Sequence, residues 1–216
     1  MRRLLAASTL VLLTAVAFAN DATKELDLAA VVIRNMTSSH QIPASVLRSA
    51  ECITVIPAVK KGAIIVGGEH GDGVVSCRTA TGWSAPAFVT ITGGSVGIQA
   101  GLEHQDLVLL MNKQAEQELS RGEWNLGAEA VATGPVSEET GGPQGNGWKT
   151  PVLVYTTTTG AFAGASLQGS KISMDDQNMR NLYGPNATLQ SVLNGQVQPP
   201  ASAQAFLSTL NQVVGK

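Results

Sequence analysis

The chain has 216 residues, 14% charged and only 4% aromatic, with 23 glycines and 14 basic against 16 acidic side chains. That length suits one folded unit with a real hydrophobic core. The faintly acidic balance excludes a nucleic-acid binder, which needs a clustered basic face, and gives no strong pull toward anionic lipid by charge alone.

In chain order, Arg2 and Arg3 precede an apolar run from Leu4 to Val16, and Ala17-Phe18-Ala19 fits a small-residue cleavage site. This predicts a secretory leader over residues 1–19, since the run is shorter than the roughly 20 apolar residues a membrane-spanning helix needs. The mature protein is expected outside the cytoplasm, periplasmic or secreted and peripheral to a membrane. Removing the two arginines leaves 12 basic against 16 acidic residues, a net charge of −4.

Asp21 to Met36 has the spacing of an amphipathic helix, with Leu26, Ala29, Ala30 and Ile33 on one face. Its polar face carries Lys24 and Arg34 against Asp21, Glu25 and Asp27, so packing is favoured over membrane insertion, which wants a basic face. Pro43 opens a second helix to Ala50. From Cys52 the period becomes that of strands. Gly71-Asp72-Gly73 reads as a hairpin turn, and Gly93-Gly94 as another, leading into Val96, Ile98 and Ala100. The opposite face of that strand holds Gly97, Gln99 and Gly101, where two glycines mark a close approach. Leu107 to Met111 is apolar on both faces and predicts a strand covered on both sides.

A helix ended by Gly122 follows from residue 112 or 113, then a strand over Leu126–Thr133. Val136 to Trp148 is a polar, glycine-rich loop and the expected mobile segment. Val152–Thr158 and Ala161–Leu167 predict a hairpin around Thr159-Gly160. Asp175 is the expected N-cap of a helix reaching Tyr183, and two helical patterns, Ala187–Leu193 and Ser202–Val214, close the chain. The fold class is therefore α+β, an antiparallel, curved or barrel-like sheet with N- and C-terminal helices packed on it.

Cys52 and Cys77 are the chain's two cysteines. In an oxidising compartment they are expected to pair, with two buried free thiols as the alternative. Lys60-Lys61, with Arg78 beyond the hairpin, suit contacts to lipid phosphate, while a solvated strand end is the plainer reading. Trp148 and Phe162 are the aromatics proposed for lipid contact, Trp148 because it ends the expected mobile loop. Trp83 is expected to anchor in the core. His70 near Asp72, and His104 near Asp106, are the candidate bases of a metal-dependent hydrolase. No ordered nucleophile, base and orienting group accompanies them, so no enzyme, no metal and no cofactor is expected.

A set of phrases runs in order through most of the chain after residue 49. They are Ile56-Pro57, Lys61-Gly62 with Val66-Gly67-Gly68, Gly71-Asp72-Gly73 and Gly82-Trp83-Ser84-Ala85-Pro86-Ala87-Phe88. Then come Gly97-Ile98-Gln99-Ala100-Gly101, Asp106-Leu107-Val108, Gly127, Gly134-Pro135, Thr159 to Gly164, and Asn181-Leu182-Tyr183-Gly184. Together they resemble the SYLF family of lipid-binding domains, also described as a yeast-type actin-regulator family. The resemblance implies a SYLF-like β-rich domain over 51–184, between helical segments 20–50 and 185–216, with 20–216 one globular unit. It also implies non-enzymatic binding of phospholipid membranes, at a surface or through a groove lined by Gly97, Gly101, Gly160 and Gly164. Export makes actin an unlikely partner, so the chain is read as an exported, bacterial-type member. The rival reading is a cell-envelope interaction or structural module whose 136–148 loop meets another protein.

Overall fold

The structure, a computed structural model, describes residues 5–62, 67–95, 103–128, 130–133, 148–157 and 167–215. Helix α1 (Leu5–Ser38) is followed by α2 (Ala44–Ser49), β1 (Cys52–Gly62), β2 (Gly67–Thr79), β3 (Gly82–Trp83), β4 (Ala87–Ser95) and β5 (Glu103–Met111). Then come α3 (Lys113–Leu119), β6 (Glu123–Asn125), β7 (Val131–Thr133), β8 (Val152–Thr156) and β9 (Lys171–Met174). The chain closes with α4 (Asp176–Tyr183), α5 (Leu189–Leu193), a single 3-10 turn (Ala201–Ala203) and α6 (Gln204–Val214).

The strands form one sheet in the order β6-β9-β4-β2-β1-β5-β8-β7, with β3 paired to β2. It is strongly curled, a half-barrel carrying the N- and C-terminal helices, as the α+β reading expects. Pairing is antiparallel except between β7 and β8. Leu107 to Met111 are fully buried, and β5 lies between β1 and β8, which is the doubly covered strand foreseen. The burial of Ala22, Leu26, Ala29, Ala30, Ile33 and Met36 confirms the inner face of α1, which packs on β1, β2, α4 and α6.

Several boundaries differ from the sequence reading. Helix α1 begins at Leu5 instead of Asp21 and runs unbroken to Ser38. Gly71-Asp72-Gly73 is no turn: β2 passes straight through it. The reason lies in β1, whose register slips by a bulge between Ile56 and Val59, so that Ile56 and Val59 occupy the space that Cβ atoms at Gly71 and Gly73 would fill. Gly93-Gly94 likewise lies inside β4, where a Cβ at Gly93 would meet the Glu69 and Ser170 side chains. Of the strand expected over Leu126–Thr133, the described residues form only its end, β7 (Val131–Thr133), while β6 precedes that range and lies on the opposite edge of the sheet. Strand β9 had no counterpart in the sequence reading.

Cys52 faces Cys77 across the β1–β2 pair, and the two form a disulfide, both fully buried. Closing a loop of this length contributes about 3 kcal/mol in the chain-entropy account.

Candidate functional site

Where α1 crosses the bulge in β1, a cleft of ≈ 340 Å³ opens between them. It is lined by Asp21, Lys24, Glu25 and Leu28 of α1, Pro57 and Ala58 of β1, and His70, Gly71 and Asp72 of β2. The bulge makes this cleft. Ala58 takes a left-handed backbone angle, φ 53°, and its N–H donates to Asp106 Oδ1 at 3.0 Å. A non-glycine residue adopts that angle only when its surroundings hold it there.

On the β2 wall, His70 Nε2 lies 3.6 Å from Asp72 Oδ1, and the Thr90 hydroxyl donates to the same carboxylate at 3.1 Å. On the α1 wall, Glu25 Oε1 is shielded from solvent and has no hydrogen-bond partner. Burial above all, with the negative charges of Asp72 and Asp175 adding to it, pushes the Glu25 carboxyl up to about 8. At the rim of the cleft α1 presents Leu28, one of its lining residues, at 44% exposure, and Val31 beyond it at 48%, the large exposed hydrophobics among the described residues. The sequence reading counted the inward stripe of α1 and missed this pair, which lies off it three residues apart.

The predicted site residues fare unequally. Lys60 lies between His70 on β2 and His104 on β5, in register with both. Lys61 lies between Glu69 and Glu103 in the same way. The sequence could not show that the two histidine turns occupy strands either side of β1. Among the described residues no group of three or more histidine, cysteine, aspartate or glutamate side chains is placed to hold a metal ion. Glu69 turns away from His70: it is buried and accepts from the Ser170 hydroxyl, so the Glu69-His70-Asp72 cluster divides between the two faces of the sheet.

Arg78, read as a cation for lipid phosphate, is committed elsewhere. Its Nε donates to the Ala50 carbonyl at 2.8 Å and its Nη2 to the Arg48 carbonyl at 3.0 Å, closing the end of α2. Its guanidinium also stacks on Trp83 at 4.8 Å, and Trp83 packs against the core as expected. Trp148 is a second correction. The sequence placed it at an exposed loop end, but it is only 3% exposed, and its backbone carbonyl accepts from the Asn112 amide at 3.2 Å. Phe162, Gly97, Gly101, Gly160 and Gly164 lie outside the described residues, as does the 136–148 loop up to residue 147. No helix of the described residues is long and apolar enough to cross a membrane.

The family model described as Ysc84, Las17-binding protein actin regulator, matches residues 92–213. An SH3 domain-containing protein of Schizosaccharomyces pombe, PJ696.02, is 36% identical over 179 residues, covering 80% of this chain and 41% of the relative. Protein YSC84 of Saccharomyces cerevisiae is 32% identical over 199 residues, 86% of this chain and 42% of the relative. SH3 domain-containing YSC84-like protein 1 of Rattus norvegicus is 32% identical over 179 residues, 81% of this chain and 52% of the relative. The chain thus spans about half the length of these relatives or less. No solved structure matches it. Nothing in these relatives supports the expectation that actin is an unlikely partner, since the family itself is described as an actin regulator. With the curled sheet, the flanking helices and more than half of its residues matched, the chain belongs to the Ysc84 family, the SYLF domains.

Proposed function

We propose that the protein is a non-enzymatic binding protein that associates with phospholipid at a membrane surface through the outward face of α1. The observation that carries this reading is the Leu28–Val31 pair, two aliphatic side chains about half exposed on a helix whose other face is committed to the core. Each has about 1 kcal/mol still to gain from leaving water. The pair therefore supports reversible, peripheral association and not a permanent anchor. Lys24 and Arg34 flank it, offset by Asp21 and Asp27, which favours no strong headgroup charge preference.

The protein is further proposed to act outside the cytoplasm. The leader-like residues 1–19 support this, and so does the buried Cys52–Cys77 bridge, since such bridges persist in oxidising compartments.

Co-sedimentation with vesicles of phosphatidylcholine and phosphatidylglycerol tests the lipid reading. The protein is expected to pellet with vesicles, and L28D/V31D to lower the partition coefficient by about tenfold or more. Equal pelleting of both proteins, or of neither at high lipid excess, rejects it. A second reading is favoured by the family's description as a Las17-binding actin regulator: the same face meets a protein partner. Co-sedimentation with filamentous actin, and pull-down on Las17, separate the two. Binding there that survives without lipid and is lost in L28D/V31D supports the protein partner.

A further inference from the structure

Of the three ionisable side chains that α1 brings to the cleft, Asp21, Lys24 and Glu25, Glu25 is the one with a buried, unpartnered oxygen; it lies beside the buried Leu26 and one turn from Ala22 and Ala29. Its Oε1 is out of reach of solvent and of any hydrogen-bond donor. The groups around it are mostly negative. From its own helix Asp21 and Lys24 line the cleft, and from β2 His70 and Asp72. Asp175, the N-cap of α4, adds a third carboxylate. On α4, Arg180 is engaged with Asp176 at 3.7 Å. Pro57 and Ala58 of β1 do not titrate, and α6 has no charged residue between Gln204 and Val214.

We propose that Glu25 is a proton-controlled latch: α1 is held on the sheet while the Glu25 carboxyl keeps its proton and is loosened when that proton is lost to solvent. The step is an ordinary acid dissociation coupled to movement, docked helix with neutral carboxyl going to loosened helix with carboxylate plus a proton. In the docked position Oε1 of the carboxylate is buried without a partner and the group feels the charges of Asp72 and Asp175, whereas a loosened helix lets water solvate it. The docked carboxyl titrates near 8 against 4.5 for the free group. Between those values the docked form binds a proton that the loosened form has released. Docking is therefore fully supported below 4.5 and weakens as pH rises toward 8. The latch concerns how α1 is held and stands whatever covers Leu28 and Val31. Its release would bare Leu26, Ala29 and Ile33 as well, enlarging the apolar face of the helix.

Amide hydrogen exchange, corrected for the intrinsic pH dependence of exchange, tests this in the purified protein at about pH 5.5 and 8.5. Protection over residues 22–36 should fall by about tenfold or more at the higher pH, while β5 stays within about twofold. E25Q should hold α1 protection within about twofold at both pH values, and D72N should give an intermediate drop. Wild-type α1 following β5, or E25Q losing protection as the wild type does, overturns the proposal. Should E25Q not fold, the wild-type protein decides: a 13C midpoint of the Glu25 carboxyl near 8 with α1 protection falling along the same curve supports the latch, and a midpoint near the free value of 4.5, or protection that does not follow the titration, rejects it.

Discussion

At Gly73 a single missing methyl group shapes the candidate site. A Cβ there would run into the Val55 carbonyl oxygen and the Ile56 side chain, and one at Gly71 would lie 2.8 Å from methyls of Ile56 and Val59. The bulge of β1 leans over β2 only because both positions are bare, and that lean puts Pro57 and Ala58 on the cleft wall. G73A should therefore destabilise by about 1–3 kcal/mol through overpacking, seen as a lower urea midpoint with an unchanged slope. An unchanged midpoint would show that the bulge can relax without cost. The Gly-Asp-Gly run reads locally as a turn because turns and close strand approaches ask for the same residue. Which of the two applies depends on a partner strand with one extra residue, and no local pattern contains that. Arg78 and Trp148 show the same limit of local pattern. Charge and polar flanks suggest surface, yet the free carbonyls ending α2 capture the first, and the second is buried beside the segment that Asn112 ties down.

Helix α1 shows what periodicity does and does not reveal about an element. Its inward stripe is legible because core residues recur at helical spacing, and the N-caps are legible because they are local chemistry. Asp175 accepts from the Gln177 and Asn178 amides at 3.0 Å, as its position before an expected helix foretells. Asn112 caps α3 by accepting from Ala115 at 3.1 Å. Strand β9 is illegible because four residues, Lys171-Ile172-Ser173-Met174, are too few to show alternation; β4 and β6 on either side define it. On the outer face of α1, apolar Leu28 and Val31 sit among charges of both signs. Vesicle association through that face should depend weakly on ionic strength, changing by less than about twofold between 50 and 500 mM salt. A steep fall with salt would shift the contact to Lys60 and Lys61, the basic pair first singled out in the sequence.

Across the whole molecule, the curled sheet divides the work. One end of the chain is fastened to the other through α1 and α6, where Arg34 donates to the Thr209 hydroxyl at 3.0 Å, while the bridge between Cys52 and Cys77 pins β1 to β2. Class and architecture were readable because burial and strand pairing leave their periods in sequence. The cleft was not, since its walls come from residues 21–28, 57–58 and 70–72, and only the tertiary fold brings these together. Both native cysteines are bridged, so a single cysteine introduced by V31C can be labelled alone with an environment-sensitive fluorophore. Titration of that labelled protein with phospholipid vesicles tests the membrane claim most directly. Saturable brightening with a blue shift at position 31, absent from a label at exposed Asn125 on the β6 edge, is the result predicted; an unchanged spectrum at position 31 under lipid excess would contradict it.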